Sequence, residues 1–317
     1  MNNNFTIEQL SQGRWVALPP LQTARSHPAV CSHGGHLFVF GGGGPEFASL
    51  DSVVCFDPER EAWETRAPLP APRSGAVAFA VGEEIWVCGG GFKQADGTFR
   101  FLERVDIYHP AEDTWRPGPS LLQPHDYPAC AQLDGRLYVL GGHHPEACLG
   151  GPKTDPGFAF CEALDTRAQA PAWQRLPDMP TPRFAASAFC RDGCIHVSGG
   201  VAFQDGAFDN FDFIETLDPA RGTWSRAAFR LPWPAAGHGT AILGGMLVTF
   251  GGYSTDDIHD RMAAFDAPAG TWIPLPPMPQ PRAAMGSAVL DGRLYLIGGW
   301  ADDGRTPMNQ AVMFTVD

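Results

Sequence analysis

The sequence predicts an all-β protein: one six-bladed β-propeller over residues 1–317, with four antiparallel strands per blade. Three observations carry this expectation. Paired glycines close an apolar stretch six times, at Gly41-Gly42, Gly89-Gly90, Gly141-Gly142, Gly199-Gly200, Gly251-Gly252 and Gly298-Gly299. Six tryptophans keep the same beat: Trp15, Trp63, Trp115, Trp173, Trp224 and Trp272. The residue 16 positions before each first glycine is Arg25, Arg73, His125, Arg183, Ala235 or Arg282, and it follows the tryptophan by ten residues in five units and eleven in the fifth.

Each unit reads as four strands, a to d. Strand a follows the Arg position, as at Gly75 to Ala80. A tight turn comes next, Asp134-Gly135, Asp192-Gly193, Gly244-Gly245 or Asp291-Gly292, the residue types wanted where both turn positions take positive φ. Strand b is a short apolar run such as Leu137-Tyr138-Val139-Leu140, ending in the glycine pair. Strand c follows a loop of variable length, as at Val53 to Phe56 and Val105 to Tyr108, and stops at Asp57-Pro58, His109-Pro110 or Asp218-Pro219. Strand d carries the tryptophan, a ring large enough to seal one blade against the next.

The chain ends are out of phase. Trp15 to Leu18 is a d strand with no blade before it, and Ala311 to Val316 is a c strand with no d strand after it. The N-terminal strand therefore completes the sixth blade and closes the ring, which limits exposed edges. Residues 1–12 fray or extend this closure.

Composition narrows the function classes. A formal charge of −13 repels phosphate backbones, so no nucleic acid is expected as partner. No run of 18 apolar residues exists, so no membrane span is expected. The first residues carry neither a basic region nor an apolar stretch, which reads as a cytoplasmic chain without a secretion signal. The eight cysteines show no Cys-x-x-Cys spacing and are expected as reduced thiols packed like small hydrophobes. Cys190 and Cys194 flank a hairpin turn and are placed to face each other across it.

The units resemble the kelch family: tryptophan, a Pro-rich corner, Arg, an apolar strand, a tight turn, a second apolar strand, Gly-Gly, a variable loop and a strand ending near Asp-Pro. Leu69-Pro70-Ala71-Pro72-Arg73 and Met278-Pro279-Gln280-Pro281-Arg282 are good copies, and the resemblance covers residues 15–317. It implies that the d–a corners and the residues after each glycine pair form a ligand-contacting mouth.

Those positions supply the candidate site. Arg25, Arg73, Arg183 and Arg282 suit a carboxylate, a phosphate or an acidic peptide, while the alternative is that each ties its corner to nearby backbone. Blade 3 departs from the repeat with His125-Asp126-Tyr127 and carries His143-His144 after its glycines. Blade 5 departs with Ala235-Ala236-Gly237-His238. With His27 and His259, six of the ten histidines map to one face. Imidazoles titrate near neutrality, so His125 and His143 are the candidate catalytic groups, with Asp126 or Tyr127 to orient or share the proton. His27, His144, His238 and Tyr253 are candidate ligand contacts, and Trp233 and Trp300 are the candidate apolar wall.

Three functions remain open. The first is a small-molecule enzyme for an anionic ligand with an apolar part: an isomerase, epimerase or cyclase that uses acid–base groups at the channel mouth and needs no cofactor, since no nucleotide or redox-cofactor motif is present. The second is a protein- or peptide-interaction module, the commonest use that the resemblance implies; the lack of an attached domain weighs towards the enzyme. The third is a metal-dependent enzyme, suggested by clustered histidines. No His-x-x-x-His spacing supports it, and no metal ligands are assigned.

Overall fold

Six four-stranded antiparallel sheets form the computed structural model, which describes residues 4–147, 154–255, 257–300 and 306–316. Blade 1 runs Ala29–His33, His36–Phe40, Val53–Asp57, Ala62–Arg66 from the inside outwards. Blade 2 runs Ser74–Val81, Glu84–Lys93, Val105–His109, Thr114–Pro117, with an added strand Phe99–Phe101 on the far end of its second strand. Blade 3 runs Ala129–Leu133, Arg136–Leu140, Cys161–Asp165, Trp173–Arg175. Blades 4 and 5 repeat the order from Ser187–Arg191 to Thr223–Arg230 and from Gly239–Leu243 to Thr271–Leu275. Each inner strand packs on the next, and that of blade 6 returns to blade 1, so the six-bladed ring is closed.

Closure follows from the out-of-phase ends. Blade 6 has Gly286–Leu290, Arg293–Ile297 and Ala311–Thr315, and its outer strand is Arg14–Leu18 from the other end of the chain. The register pairs Arg14 with Thr315 and Leu18 with Ala311. Ahead of that strand, Ile7–Ser11 is a short helix with a Thr6/Gln9 capping box, and its Leu10 is buried in a cluster with Phe314, Leu243 and Leu275.

Repeat residues recur because each blade needs the same three ties. Second strands such as Leu37–Phe40 are buried on both faces between neighbouring blades, hence their unbroken apolar runs. Each repeat tryptophan donates its indole N–H to a carbonyl in the preceding blade: Trp15 to Pro276 (3.0 Å), Trp63 to Pro19 (2.8 Å), Trp115 to Ala67 (3.0 Å), Trp173 to Pro119 (3.0 Å), Trp224 to Pro177 (3.0 Å) and Trp272 to Arg230 (2.6 Å). The glycine pairs let the next blade approach. A Cβ on Gly41 would lie 2.4 Å from the Arg73 carbonyl oxygen, and one on Gly298 would lie 2.3 Å from that of Arg25. The a–b turns also match expectation, with Asp134, Gly135, Asp291 and Gly292 all at positive φ.

The third tie explains the Arg position. Arg25, Arg183 and Arg282 are fully buried and donate to the carbonyls of Gly41 (2.8 Å), Gly199 (2.9 Å) and Gly298 (3.1 Å) in their own blades. His125 does the same towards Gly141 (2.6 Å), and its other ring nitrogen meets Glu162 (3.1 Å). In blade 5, where Ala235 replaces the arginine, Trp233 donates to Gly251 (3.3 Å) and packs on Ala235 and Ala263. Buried acidic partners complete two blades, Asp106 for Arg73 and Glu215 for Arg183. Blade 5 is the apolar version of the same brace, a replacement that buried ion pairs tolerate when the volume is filled.

Two residues beyond each Arg position, the chain turns through positive φ at His27, Gly75, Tyr127, Ala185, Gly237 and Ala284. Each N–H there donates to the equivalent carbonyl of the preceding blade: His27 to Ala284 (2.7 Å), Gly75 to His27 (3.0 Å), Tyr127 to Gly75 (2.8 Å), Ala185 to Tyr127 (3.1 Å), Gly237 to Ala185 (2.7 Å) and Ala284 to Gly237 (2.8 Å). Six backbone hydrogen bonds thus close a ring with one link per blade. Four of the six members are Gly or Ala; only His27 and Tyr127 put large side chains on it.

The described cysteines are free thiols. Cys190 and Cys194 do not face each other: Cys194 pairs with Arg191 and Cys190 with Ile195, so their side chains leave opposite faces of the hairpin.

Candidate functional site

His27, Gly75 and Tyr127 of the backbone ring open onto a cavity of about 360 Å³. Its other walls come from the corners before the inner strands and from the loops between second and third strands. Phe101, Phe184, Tyr253 and Trp300 line it, with Phe47, Phe99, Phe203 and Phe208. Phe47 and Phe208 remain 44% and 41% exposed. The polar groups are Ser26, Ser74, Asp126, His143, Thr154 and Asp155. This is the size and lining of a small-molecule site: apolar walls with a few polar anchors.

His143 is the best-positioned group. Its imidazole lies flat between Phe184 (centroids 3.9 Å apart, 24° between planes) and Phe101 (5.7 Å, 23°). Nδ1 is hydrogen-bonded to Asp155 Oδ2, and Nε2 stands 3.8 Å from Asp126 Oδ2. Asp155 is itself held: its Oδ1 accepts the backbone N–H groups of His144 (3.0 Å) and Gly157 (3.1 Å). Its backbone exchanges two hydrogen bonds with Phe203 of blade 4 (2.8 and 2.6 Å). The carboxylate orients the imidazole and the imidazole presents its second nitrogen to the cavity, the arrangement that equips a histidine for proton transfer.

Electrostatics sharpen the pair. Burial pushes the Asp126 carboxyl up to about 6, with His143 opposing and Asp155 adding to the rise. No hydrogen-bond donor reaches that carboxyl among the described residues. It fits because Gly75 and Gly91 lack side chains; a Cβ on Gly75 would lie 2.3 Å from Asp126 Oδ1. Burial alone would lower the His143 imidazole, but the bond to Asp155 and the charges of Asp126 and Asp155 outweigh it and hold it above its ordinary value. Asp155 is held down by that bond and its backbone donors against the effect of burial. His27 behaves differently. Burial, then the nearby His143, lowers it to about 3, so it is a neutral ring at physiological pH. Its Nδ1 meets Ser26 Oγ (3.0 Å), and its ring stands edge-on to Tyr127 (4.6 Å) and Trp300 (4.9 Å).

Six sequence-predicted residues therefore meet in one cavity: His27, Asp126, Tyr127, His143, Tyr253 and Trp300. Eight do not line it. Arg25, Arg73, Arg183 and Arg282 are inside the blades: Arg25, Arg183 and Arg282 turn back towards glycine carbonyls and Arg73 towards Asp106 instead of the axis. His125, expected beside His143, faces Phe158, Phe160 and Glu162 within blade 3. Trp233 takes the arginine's place in blade 5. His144 accepts a bond from the Glu146 N–H in its own loop (3.2 Å). His238 is buried on Ser198 (3.1 Å) and is lowered to about 3 by burial and by His259. Sequence reasoning missed Asp155 and Phe101. The turn signal Asp155-Pro156-Gly157 was available for the first. Among the described residues no three His, Cys, Asp or Glu side chains are grouped to hold a metal ion, and no helix is long and apolar enough to cross a membrane.

Fold and site together define a six-bladed propeller with an aromatic-walled cavity at one mouth. A family model described as the Kelch motif matches residues 24–70 and 72–122. The chain is 32% identical over 151 residues to Kelch-like protein 35 of Mus musculus, covering 47% of this chain and 25% of that protein. It is 26% identical over 278 residues to Kelch-like protein terF of Aspergillus terreus (strain NIH 2624 / FGSC A1156), covering 82% of this chain and 59% of that protein. The chain thus spans less than two thirds of the length of these curated relatives. A solved structure titled "Structure of YjhT" superposes with a TM-score of 0.75 at 17% identity, covering 95% of this chain and 99% of that one, a likeness of fold. The Kelch-motif match, the kelch-like relatives and the six-bladed fold support a kelch-repeat β-propeller family.

Proposed function

We propose that this propeller binds a small molecule in the aromatic cavity and moves a proton on it with His143 and Asp126, the chemistry of an isomerase, epimerase or cyclase. The observation that carries the reading is the Asp155–His143–Asp126 alignment, which opens on a cavity of ligand size. Asp155 holds the Nδ1 proton, so Nε2 is the atom that accepts a proton from the ligand or returns one. Asp126 titrates near neutrality and serves as the second proton site, so abstraction and return can use different groups. The side chains supply this acid–base step by themselves.

The test is solvent-proton exchange. The protein is incubated in D₂O with a panel of small metabolites, and deuterium entering carbon positions is read by mass spectrometry. Incorporation by the wild type that disappears in His143→Gln, at an unchanged melting temperature, is the expected result. Equal incorporation in both proteins overturns the reading. A second reading rests on the exposed Phe47 and Phe208: the same mouth receives a side chain of a partner protein. Binding of a partner that is lost in Phe47→Ser and Phe208→Ser, without any exchange chemistry, favours it.

A further inference from the structure

Among the described residues the cavity has a surplus of negative charge. Asp126 and Asp155 bring two carboxylates, and His143 brings one imidazole to serve both. When His143 is protonated, one negative charge remains. His27 stays neutral and offers no compensation. Among the described residues no Lys or Arg lines the cavity, since the arginines of the repeat are turned into the blades. Asp126 carries the surplus: it is largely buried, it accepts no hydrogen bond among the described residues, and its nearest charge is 3.8 Å away. Phe184, Tyr127, Tyr253 and Trp300 line the same cavity, with Tyr253 and Trp300 in mutual contact (5.3 Å). Aromatic faces attract cations and leave an anion unsolvated.

We propose that the cavity selects an organic cation, a substituted ammonium on an apolar body, with its charge against Asp126 and its body against the aromatic wall. This rests on the reading of the cavity as a ligand site, and it reverses the anionic ligand expected from the arginine positions. A carboxylate ligand would meet Asp126 with no cation among the described lining residues to pair it. A neutral ligand would leave the buried carboxylate without a partner. An ammonium supplies both the missing charge and N–H or polarised C–H donors.

Calorimetric titration at pH 7.5 with three probes of one shape tests it: 2-phenylethylammonium, 2-phenylethanol and phenylacetate. The ammonium is expected to bind about tenfold or more tightly than the alcohol, with phenylacetate weakest. Asp126→Asn is expected to bring the ammonium down to the level of the alcohol and leave the alcohol unchanged. If that variant does not fold, wild-type protein at pH 5 gives the same comparison, because protonating Asp126 removes its charge. The titratable groups that face Asp126 among the described residues are His143 and Asp155 of its own blade and Tyr127 beside it; from blade 2, Gly75 and Gly91 lie against it. Equal binding of ammonium and alcohol, preference for phenylacetate, or binding of none of the three overturns the proposal. His143→Gln separates it from the proton-transfer reading: proton exchange is lost while the preference for ammonium persists.

Discussion

Replacing Arg183 by Met decides whether the repeat arginines serve the ligand or the blades. The guanidinium is fully buried, donates to Gly199 O at 2.9 Å and Thr181 O at 3.1 Å, and pairs with Glu215. It also lies 4.4 Å from the centre of the Phe213 ring. Methionine fills much of the same volume but leaves the Glu215 carboxylate buried, with Thr181 and the exposed Arg226 (3.3 Å) as its remaining partners. Breaking one side of a buried pair costs about 3–5 kcal/mol. Adding Glu215→Gln removes the stranded charge and keeps an acceptor for Thr181, so the double variant is expected to recover about 1–3 kcal/mol of that loss. Urea denaturation followed by tryptophan fluorescence measures both steps, and calorimetry on the folded variants measures affinity for the cavity ligand. The expected pattern is a large loss of stability with affinity within a few-fold of wild type. An Arg183→Met protein as stable as the wild type, yet unable to bind, would refute the assignment of this arginine to the scaffold.

Two further outcomes follow from the geometry. His238 is lowered to about 3 in the fold, so below its ordinary value of about 6.5 the unfolded chain takes up the proton first. Stability is therefore full above about pH 6.5 and falls with pH, by about 2 kcal/mol at pH 5 for this residue. Asp126, held up at about 6, works in the opposite direction below pH 6, and comparing the pH 8 to pH 5 loss in wild type and His238→Gln cancels it; an equal loss in both proteins refutes the claim. Gly75→Ala puts a Cβ 2.3 Å from Asp126 Oδ1 at a φ of +64°, so it is expected to destabilise by about 1–3 kcal/mol and displace the carboxylate. Undiminished ammonium binding by a folded Gly75→Ala protein would count against Asp126 as the anchor.

The periodic features were legible because they answer to needs that every blade shares. Unbroken apolar runs mark strands covered on both faces, Asp-Gly marks turns with two positive φ values, and the paired glycines mark a backbone approached by a neighbouring carbonyl. The closure was legible for a similar reason: a c strand ending at Thr315 and a d strand starting at Arg14 each lack a partner that only the other can supply. Of the two histidines after the blade-3 glycines, His143 lines the cavity and His144 does not. His125 shows the limit of reading a departure from the repeat as a site residue. It departs from the arginine in residue type while keeping its job, since an imidazole with acceptors on both nitrogens bridges Gly141 and Glu162 as the guanidinium does elsewhere.

By itself, then, the sequence determined which residues are equivalent, how many blades they build and how the ring closes, because those follow from spacing and from backbone hydrogen bonding. Only the tertiary structure decided which way each equivalent side chain points. The turn of the backbone between positions 25 and 27, and at its five repeats, sends the first residue into the blade and hands the third to the axis. It also decided that Asp155, on a loop with no period, lies beside His143. A repeat pattern reports position along the chain, whereas the sign of a cavity's charge depends on directions that are set only when six blades meet.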